Sequence, residues 1–291
     1  MLTARRGFSL TELVVAVVIA CAIGAAVLDS GLRQQRFFAA AARFDAARTS
    51  VRQAADILSA DLRPLSPRDG DLYVLAPDFV EFRLLLGASV LCTIAAARDA
   101  AVLPPLRAAS ALGLTSWVSS PVAGDTVLVF DEGGSGAADD RWTRHVLTAD
   151  PSAGANCPTA SGFTSSAAEA AAGWQIQIRP PLAASVAPGA PLRFVRRARY
   201  ELYRAADAKW YLGFVDCLST RMTPCAVVQP VSGPYDAAGI RFGYLDSLGA
   251  LTMAPPDVAL ITIDIRASAP AADPASPPRR DSASAVVALR D

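Results

Sequence analysis

Phe8-Ser9-Leu10-Thr11-Glu12-Leu13-Val14-Val15-Ala16-Val17-Val18-Ile19-Ala20-Cys21-Ala22-Ile23-Gly24-Ala25-Ala26-Val27-Leu28 is the stretch that decides the fold. It runs for 21 residues and carries one charge, Glu12. At about 1.5 Å rise per residue a helix of that length spans about 31 Å, close to the thickness of a bilayer core. Arg5 and Arg6 precede it. The positive-inside rule then puts the N-terminus in the cytoplasm and the remaining chain outside. Glu12 is the anomaly, because a carboxylate at that depth costs about 2.5–3.5 kcal/mol on insertion scales unless it finds a partner.

The helix is expected to continue. No proline occurs between Phe8 and Pro64. Phe37, Phe44, Val51, Leu58 and Leu62 recur at steps of seven or four residues, with Ala47, Ala54 and Ala55 between them. That spacing makes one apolar stripe. Arg36, Arg43, Arg48, Arg52, Asp56 and Asp61 line the other side. Gly31 and the Asp29-Ser30 pair are expected to kink or loosen the helix where it leaves the membrane. From Phe8 to Leu62 the unbroken helix would be about 80 Å long.

Beyond Pro64 the period changes. Short β-prone runs fall at 72–75, 80–86, 90–94, 126–130, 142–147, 174–178 and 192–202. Others fall at 210–215, 226–228, 240–245, 258–265 and 285–289. Ile261, Ile263 and Ile265 alternate with Thr262, Asp264 and Arg266, the pattern of a half-buried strand. Stretches 98–123, 150–173 and 267–281 are rich in Ala, Ser, Pro and Gly and read as surface loops, with no further helix. The expected fold class is α+β. A long N-terminal stem helix, transmembrane in its first half, packs on an antiparallel β-sheet head.

The chain has 291 residues, 52% of them hydrophobic, with 27 basic and 27 acidic side chains. Zero net charge argues against nucleic-acid binding by bulk attraction, so no direct nucleic-acid contact is expected. One histidine, His145, disfavours multi-histidine metal sites and limits Ser/His or Cys/His schemes to one candidate. It alternates with bulky residues in Arg141-Trp142-Thr143-Arg144-His145 and reads as structural. Gly133-Gly134-Ser135-Gly136 has Ala137 where a nucleophile elbow needs glycine. Neither a P-loop nor a dinucleotide fingerprint is present. No cofactor and no catalysis are expected.

Three readings of the N-terminus compete. One is a Sec-type signal peptide. A second is a lipoprotein signal, in which Val18-Ile19-Ala20 precedes an acylated Cys21. The third rests on Arg6-Gly7-Phe8-Ser9-Leu10-Thr11-Glu12-Leu13, which resembles the cleavage motif of type IV prepilins. Glu12 favours the third. A plain signal peptide has no use for a buried carboxylate, and a lipoprotein expects a polar tether where Ala22–Leu28 stays apolar. The resemblance implies that a prepilin peptidase cuts between Gly7 and Phe8 and methylates Phe8. It implies that Glu12 pairs with the terminal amine of a neighbouring subunit during assembly. The divisions are then 1–7 leader, 8–28 transmembrane half of the stem, 29–63 amphipathic half and 64–291 head.

A second resemblance covers the C-terminal third. Val195-Arg196-Arg197-Ala198-Arg199-Tyr200-Glu201-Leu202-Tyr203-Arg204 with Trp210-Tyr211-Leu212 is similar to a strand pair of PilW-type minor pilins and J-type pseudopilins. Ala238–Asp246 followed by Val258–Ile265 is similar to the next pair. These resemblances imply a minor type IV pilin in the bacterial inner membrane, single-pass, with its head in the periplasm, which then joins a pilus initiation or tip complex. Its partners would be other minor pilins or pseudopilins and the major pilin, met through the stem. A type II secretion pseudopilin of the J type is the alternative within the class. A membrane-anchored or lipidated β-domain binding protein is the alternative outside it.

Cys21 lies in the apolar segment and reads as a small apolar residue. Cys92, Cys157, Cys217 and Cys225 form an even set outside the cytoplasm, with three possible connectivities. Cys217 and Cys225 flank a short loop, so a hairpin-end bridge is the simplest pairing. Cys92 with Cys157 follows by subtraction. Asp131, Glu132, Asp139 and Asp140 are a calcium candidate, although they lack the EF-hand ligand order. A solvated hairpin tip between two strands is the competing reading.

Overall fold

The computed structural model describes residues 10–106, 113–134, 139–218, 225, 227–271 and 277–290. Helix α1 runs from Leu10 to Leu62, 53 residues. It does not break at Asp29-Ser30-Gly31, where loosening was expected. One glycine costs a helix only about 1 kcal/mol, and the strong helix formers around it carry the turn. The helix passes into a one-turn 3₁₀ segment at Pro67–Asp69, with Gly70 closing it at φ +74°.

Among the described residues, the head has only antiparallel strand pairings. Its strands are β1 (Leu72–Leu75), β2 (Phe79–Val90), β3 (Thr93–Ile94), β4 (Ala100–Leu103), β5 (Ser116–Trp117), β6 (Thr126–Asp131), β7 (Arg141–Leu147) and β8 (Ser152–Ala155). After them come β9 (Gly173–Arg179), β10 (Pro191–Arg204), β11 (Trp210–Asp216), β12 (Val228–Tyr235), β13 (Ile240–Leu245), β14 (Leu260–Ala269) and β15 (Arg279–Ala288). One sheet has the order β1-β2-β10-β6-β7-β9-β4-β3, with β11 and β12 branching from β10. A smaller sheet has the order β13-β14-β15. The molecule is therefore α+β, a long helix packed on antiparallel sheets in a pilin-like arrangement.

Three loops expected from composition contain structure. Stretch 98–123 holds β4 and β5, and stretch 150–173 holds β8 and a one-turn helix α2 (Ala167–Ala170). Stretch 267–281 holds the end of β14 and the start of β15. Alanine-rich segments of this kind become strands because β9, β2 or β14 offers a pairing edge, and their own propensity is weak. Strand β12 also continues to Tyr235 through Pro230 and Pro234. Prolines are tolerated there because β12 is an edge.

Strands β2 and β10 form the spine of the head. Their register shifts between Phe194 and Val195. The extra residue lies on β2, at Leu86, so the bulge turns the side chains of β2 and leaves the alternation of β10 intact. Along that one alternation Leu192 and Phe194 enter a distal core with Leu86, Val127, Val129 and Ile176. Ala198, Tyr200 and Leu202 enter a stem core with Val51, Ala54, Leu58 and Leu62 of α1. Ile261, Ile263 and Ile265 of β14 are fully buried in that second core. Each such side chain contributes about 1.5–3 kcal/mol by burial.

Candidate functional site

The helix that fills the stem core is also the molecule's most exposed apolar surface. Ala40 is the first buried residue of α1, followed by Ala47, Val51, Ala54, Leu58 and Leu62. No residue from Leu10 to Ala39 is buried. Val18 and Ile23 are 61% and 60% exposed. This is the one helix among the described residues long and apolar enough to cross a membrane. The amphipathic half does not dock as far down as its pattern suggested. Phe37, assigned from its spacing to the buried stripe, is 57% exposed, and Phe38 beside it is 68% exposed. Phe44 is the first aromatic of the stripe to pack against the core.

The docked half is pinned at several points. Tyr200 donates to the Asp61 carboxylate at 2.6 Å. Tyr235 donates to the Ser50 carbonyl at 2.8 Å. The Ser50 hydroxyl donates to the Gly233 carbonyl at 3.1 Å. Arg290 N–H closes the far end on the Leu65 carbonyl at 2.9 Å. Burial, then the hydrogen bond and negative charge of Asp61, raises the Tyr200 phenol far above its ordinary value. Burial does the same to Tyr244, whose hydroxyl donates to the Ala76 and Phe79 carbonyls.

Gly7 and Phe8, the residues assigned to processing, lie outside the described residues. Glu12 stands in the first turn of α1 and is exposed. Cys21 is a free, exposed cysteine in the apolar half. The four remaining cysteines are disulfide-bonded as Cys92–Cys157, 65 residues apart, and Cys217–Cys225, eight residues apart. The first bridge ties the end of β2 to the segment before α2, so it braces the distal core. The second closes the connection between β11 and β12.

The acidic hairpin is not uniformly solvated. Asp131 is fully buried. The Ser185 hydroxyl, the Gly133 N–H and the Arg141 guanidinium hold its carboxyl below the usual range against the opposing effect of burial. Asp139 accepts from Gly134 N–H at 2.8 Å, whereas Glu132 and Asp140 are exposed. Asp131 and Asp139 thus serve the turn itself. Among the described residues no group of three or more His, Cys, Asp or Glu side chains is arranged to hold a metal. His145 is buried, with Nδ1 on the Pro180 carbonyl at 2.7 Å and Nε2 on Thr143 Oγ1 at 2.9 Å. It ties β7 to the turn after β9.

Sequence reading missed the buried ion pairs. Asp125 is fully enclosed and receives Arg196 through two bonds of 2.6 and 2.7 Å. Arg196 also reaches Asp216 at 3.1 Å. The hydrogen bond that Arg196 donates to Asp125, opposed by burial, raises the Arg196 guanidinium further above its already high value. Glu81, nearly buried, is held by Arg197 and Arg199. The arginine-rich run Arg196–Arg199 was the one available signal, but its partners lie far away in the chain. Among the described residues the head has clefts, two of which carry charged side chains. The larger, about 470 Å³, is lined by Asp99, Thr148, Gln177 and Arg179. The smaller, about 270 Å³, is lined by Asp78, Leu202, Trp210 and Arg241.

Fold and site together define a stem-and-head protein with one candidate membrane helix among the described residues, bare in its first part and built into the head in its second. No protein-family model matches the chain, and no curated protein or solved structure matches it either.

Proposed function

We propose that this chain is a minor type IV pilin of the PilW-like kind. It is inserted in the inner membrane with the head in the periplasm, cut between Gly7 and Phe8, methylated on Phe8 and recruited through its stem into a pilus initiation or tip complex. The observation that carries this reading is the division of α1. An all-round apolar half with no buried residue continues into a half that is part of the head's own core. A cleavable signal peptide has no reason to be continuous with a core helix, because its removal would cut into the fold. A stem that must leave the membrane with its head attached does have that reason.

Function on this reading is assembly. The bare helix supplies apolar surface to neighbouring stems. Glu12 supplies register, because an ionised carboxylate among apolar stems is tolerable only opposite a positive group such as a terminal amine. A head of about 230 residues after the stem favours the PilW-like form over the shorter J-type secretion pseudopilin.

The test is the mature N-terminus together with Glu12→Ala. Mass spectrometry is expected to find N-methyl-Phe8 as the first residue. Glu12→Ala is expected to abolish incorporation while leaving head stability unchanged. A lipid on Cys21, or an intact leader in assembled material, would sink the pilin reading. Normal piliation and secretion by Glu12→Ala would remove the role given to the carboxylate.

A further inference from the structure

Among the described residues, the second sheet has one edge without a strand neighbour. β15 pairs with β14 over ten consecutive residues without a register shift, and β14 is its only strand neighbour among the described residues. Arg266 N–H bonds to the Gly239 carbonyl on the β13 side, and Leu289 N–H bonds to the Ala259 carbonyl on the β15 side. Even-numbered residues of β14 therefore bond β13, and odd-numbered residues bond β15. Through the pairing Ile263↔Ala285, the odd residues of β15 face β14. Arg280, Ser282, Ser284, Val286 and Ala288 consequently turn their N–H and C=O groups outward, and all five are exposed.

Natural sheets shield such edges with charge, proline, bulges or brevity. The other edges here follow that rule. β1 has four residues and β3 has two. β12 carries Pro230 and Pro234 and two register shifts against β11. β13 gives its Phe242 N–H to the Pro77 carbonyl. β15 has none of these devices from Ser282 onward, where Ser282-Ala283-Ser284-Ala285-Val286-Val287-Ala288 is free of charge and proline. We propose that the outer edge of β15 is a docking site for an extended, uncharged strand of a different membrane-anchored subunit, added antiparallel to β15.

Orientation decides the occupant. β15 begins beside the stem's entry into the head, with the Arg279 guanidinium 6.0 Å from the Phe44 ring centroid. It ends beside the stem's last turn, where Arg290 meets Leu65. Strand and stem thus run in the same direction. Two identical edges joined by a two-fold axis pair antiparallel, so a second copy on β15 would point its stem the opposite way. Copies anchored in one membrane cannot do that. A strictly symmetric parallel pair is excluded as well. It would set even residues opposite even residues, whereas a parallel ladder needs the bonding residues of the two strands offset by one. The strand that fits comes from another subunit and descends toward the membrane while β15 ascends. Main-chain bonds supply the affinity, as in other cases of strand addition. The inference rests on the anchored-stem part of the reading above.

The test places p-benzoylphenylalanine at Val286 in the full-length chain, in the membranes of the cells that make it. Irradiation is expected to give one discrete adduct. Its cross-linked peptide should come from an extended segment of another protein with a single apolar N-terminal helix. Ser282→Pro removes an outward N–H and leaves the β14 ladder whole. It is expected to lower the adduct yield by about fivefold or more, the worth of one net backbone hydrogen bond. Ser282→Lys, which charges the edge without touching the backbone, is the second variant should the proline lower the melting temperature. No adduct, an adduct with a second copy of this chain, or a yield indifferent to both variants overturns the proposal. N-methyl-Phe8 without an adduct removes the docking strand and leaves the pilin reading. An adduct on an uncut chain does the reverse.

Discussion

Residues 10–39 and 40–62 belong to one helix, yet they answer to different surroundings. The outer part is the more apolar, and none of it is buried. The inner part carries charge on nearly every turn, and it holds Val51, Ala54, Leu58 and Leu62 at 1% exposure or less. Hydrophobicity and burial run in opposite senses along the same rod. A protein core needs a narrow stripe shaped to its partner, and here that stripe is built largely of alanine and leucine at helical spacing. A lipid or stem environment needs apolar surface all round, with little demand on shape.

The largest test of this contrast is a pair of truncations. Leu58→Ala is expected to destabilise the head by about 2–5 kcal/mol, because it opens a cavity in a filled core. Val18→Ala, with most of its surface exposed, is expected to change head stability by less than about 0.5 kcal/mol. Chemical denaturation of the chain in detergent measures both. A similar loss at the two positions would break the distinction.

Enlargement is the next test. Ala54 is fully buried, and Leu in its place is expected to cost about 1–3 kcal/mol through overpacking. Ala26→Leu, in the bare half, should leave head stability unchanged. Differential scanning calorimetry compares the two.

A smaller effect attaches to the pin between stem and sheet. Tyr200→Phe removes the bond to Asp61 and is expected to cost about 1 kcal/mol near neutral pH. Its signature is the pH dependence. An unfolded tyrosine titrates near pH 10, whereas Tyr200 in the fold titrates higher, because burial and Asp61 disfavour the phenolate. The stability linked to this proton is complete below about pH 10 and is lost as pH rises beyond it. Tyr200→Phe should therefore lose stability less steeply above pH 10 than the parent chain. Equal slopes would mean that the phenol does not titrate differently in the folded state. Smallest of all, Phe37→Ala should alter head stability by less than about 0.5 kcal/mol, since its ring lies outside the stem core. A larger loss would mean that the ring packs on the head in solution.

Sequence reading served best where local pattern and tertiary demand agree. The alternation of Ile261, Ile263 and Ile265 announces β14 because one face of that strand meets the stem and the other meets solvent. The helix announces itself over its whole length. Where pairing overrides composition the reading failed: β4, β5 and β8 are short and poor in β-branched residues, and they exist because a neighbour offers hydrogen bonds. Phe37 fits the heptad as well as Phe44 does, and only the position of the head's lower margin separates them. The arginine run at Arg196–Arg199 did not point to the enclosed Asp125, because Arg196 lies 71 residues away from it. The cysteine pairs were legible because the loop between Cys217 and Cys225 is short enough for a hairpin bridge.

The register shift at Phe194/Val195 has a consequence for how such a head is put together. Val90 and Pro191 face each other across the β2–β10 ladder, yet most of the distal core lies between them in the chain, with Leu86, Leu192 and Phe194 reaching in from the ladder itself. On the near side of the shift, Val80, Phe82, Ala198, Tyr200 and Leu202 are buried in the stem core. The distal lobe is thus an insertion at a hairpin tip, with its own core and its own crosslink at Cys92–Cys157. A tight turn joining Val90 to Pro191 would keep the residues of the stem core but would strip Arg196 of its Asp125 partner. Change in the distal lobe therefore meets the half that holds the helix chiefly at that ion pair and along the β6–β10 ladder.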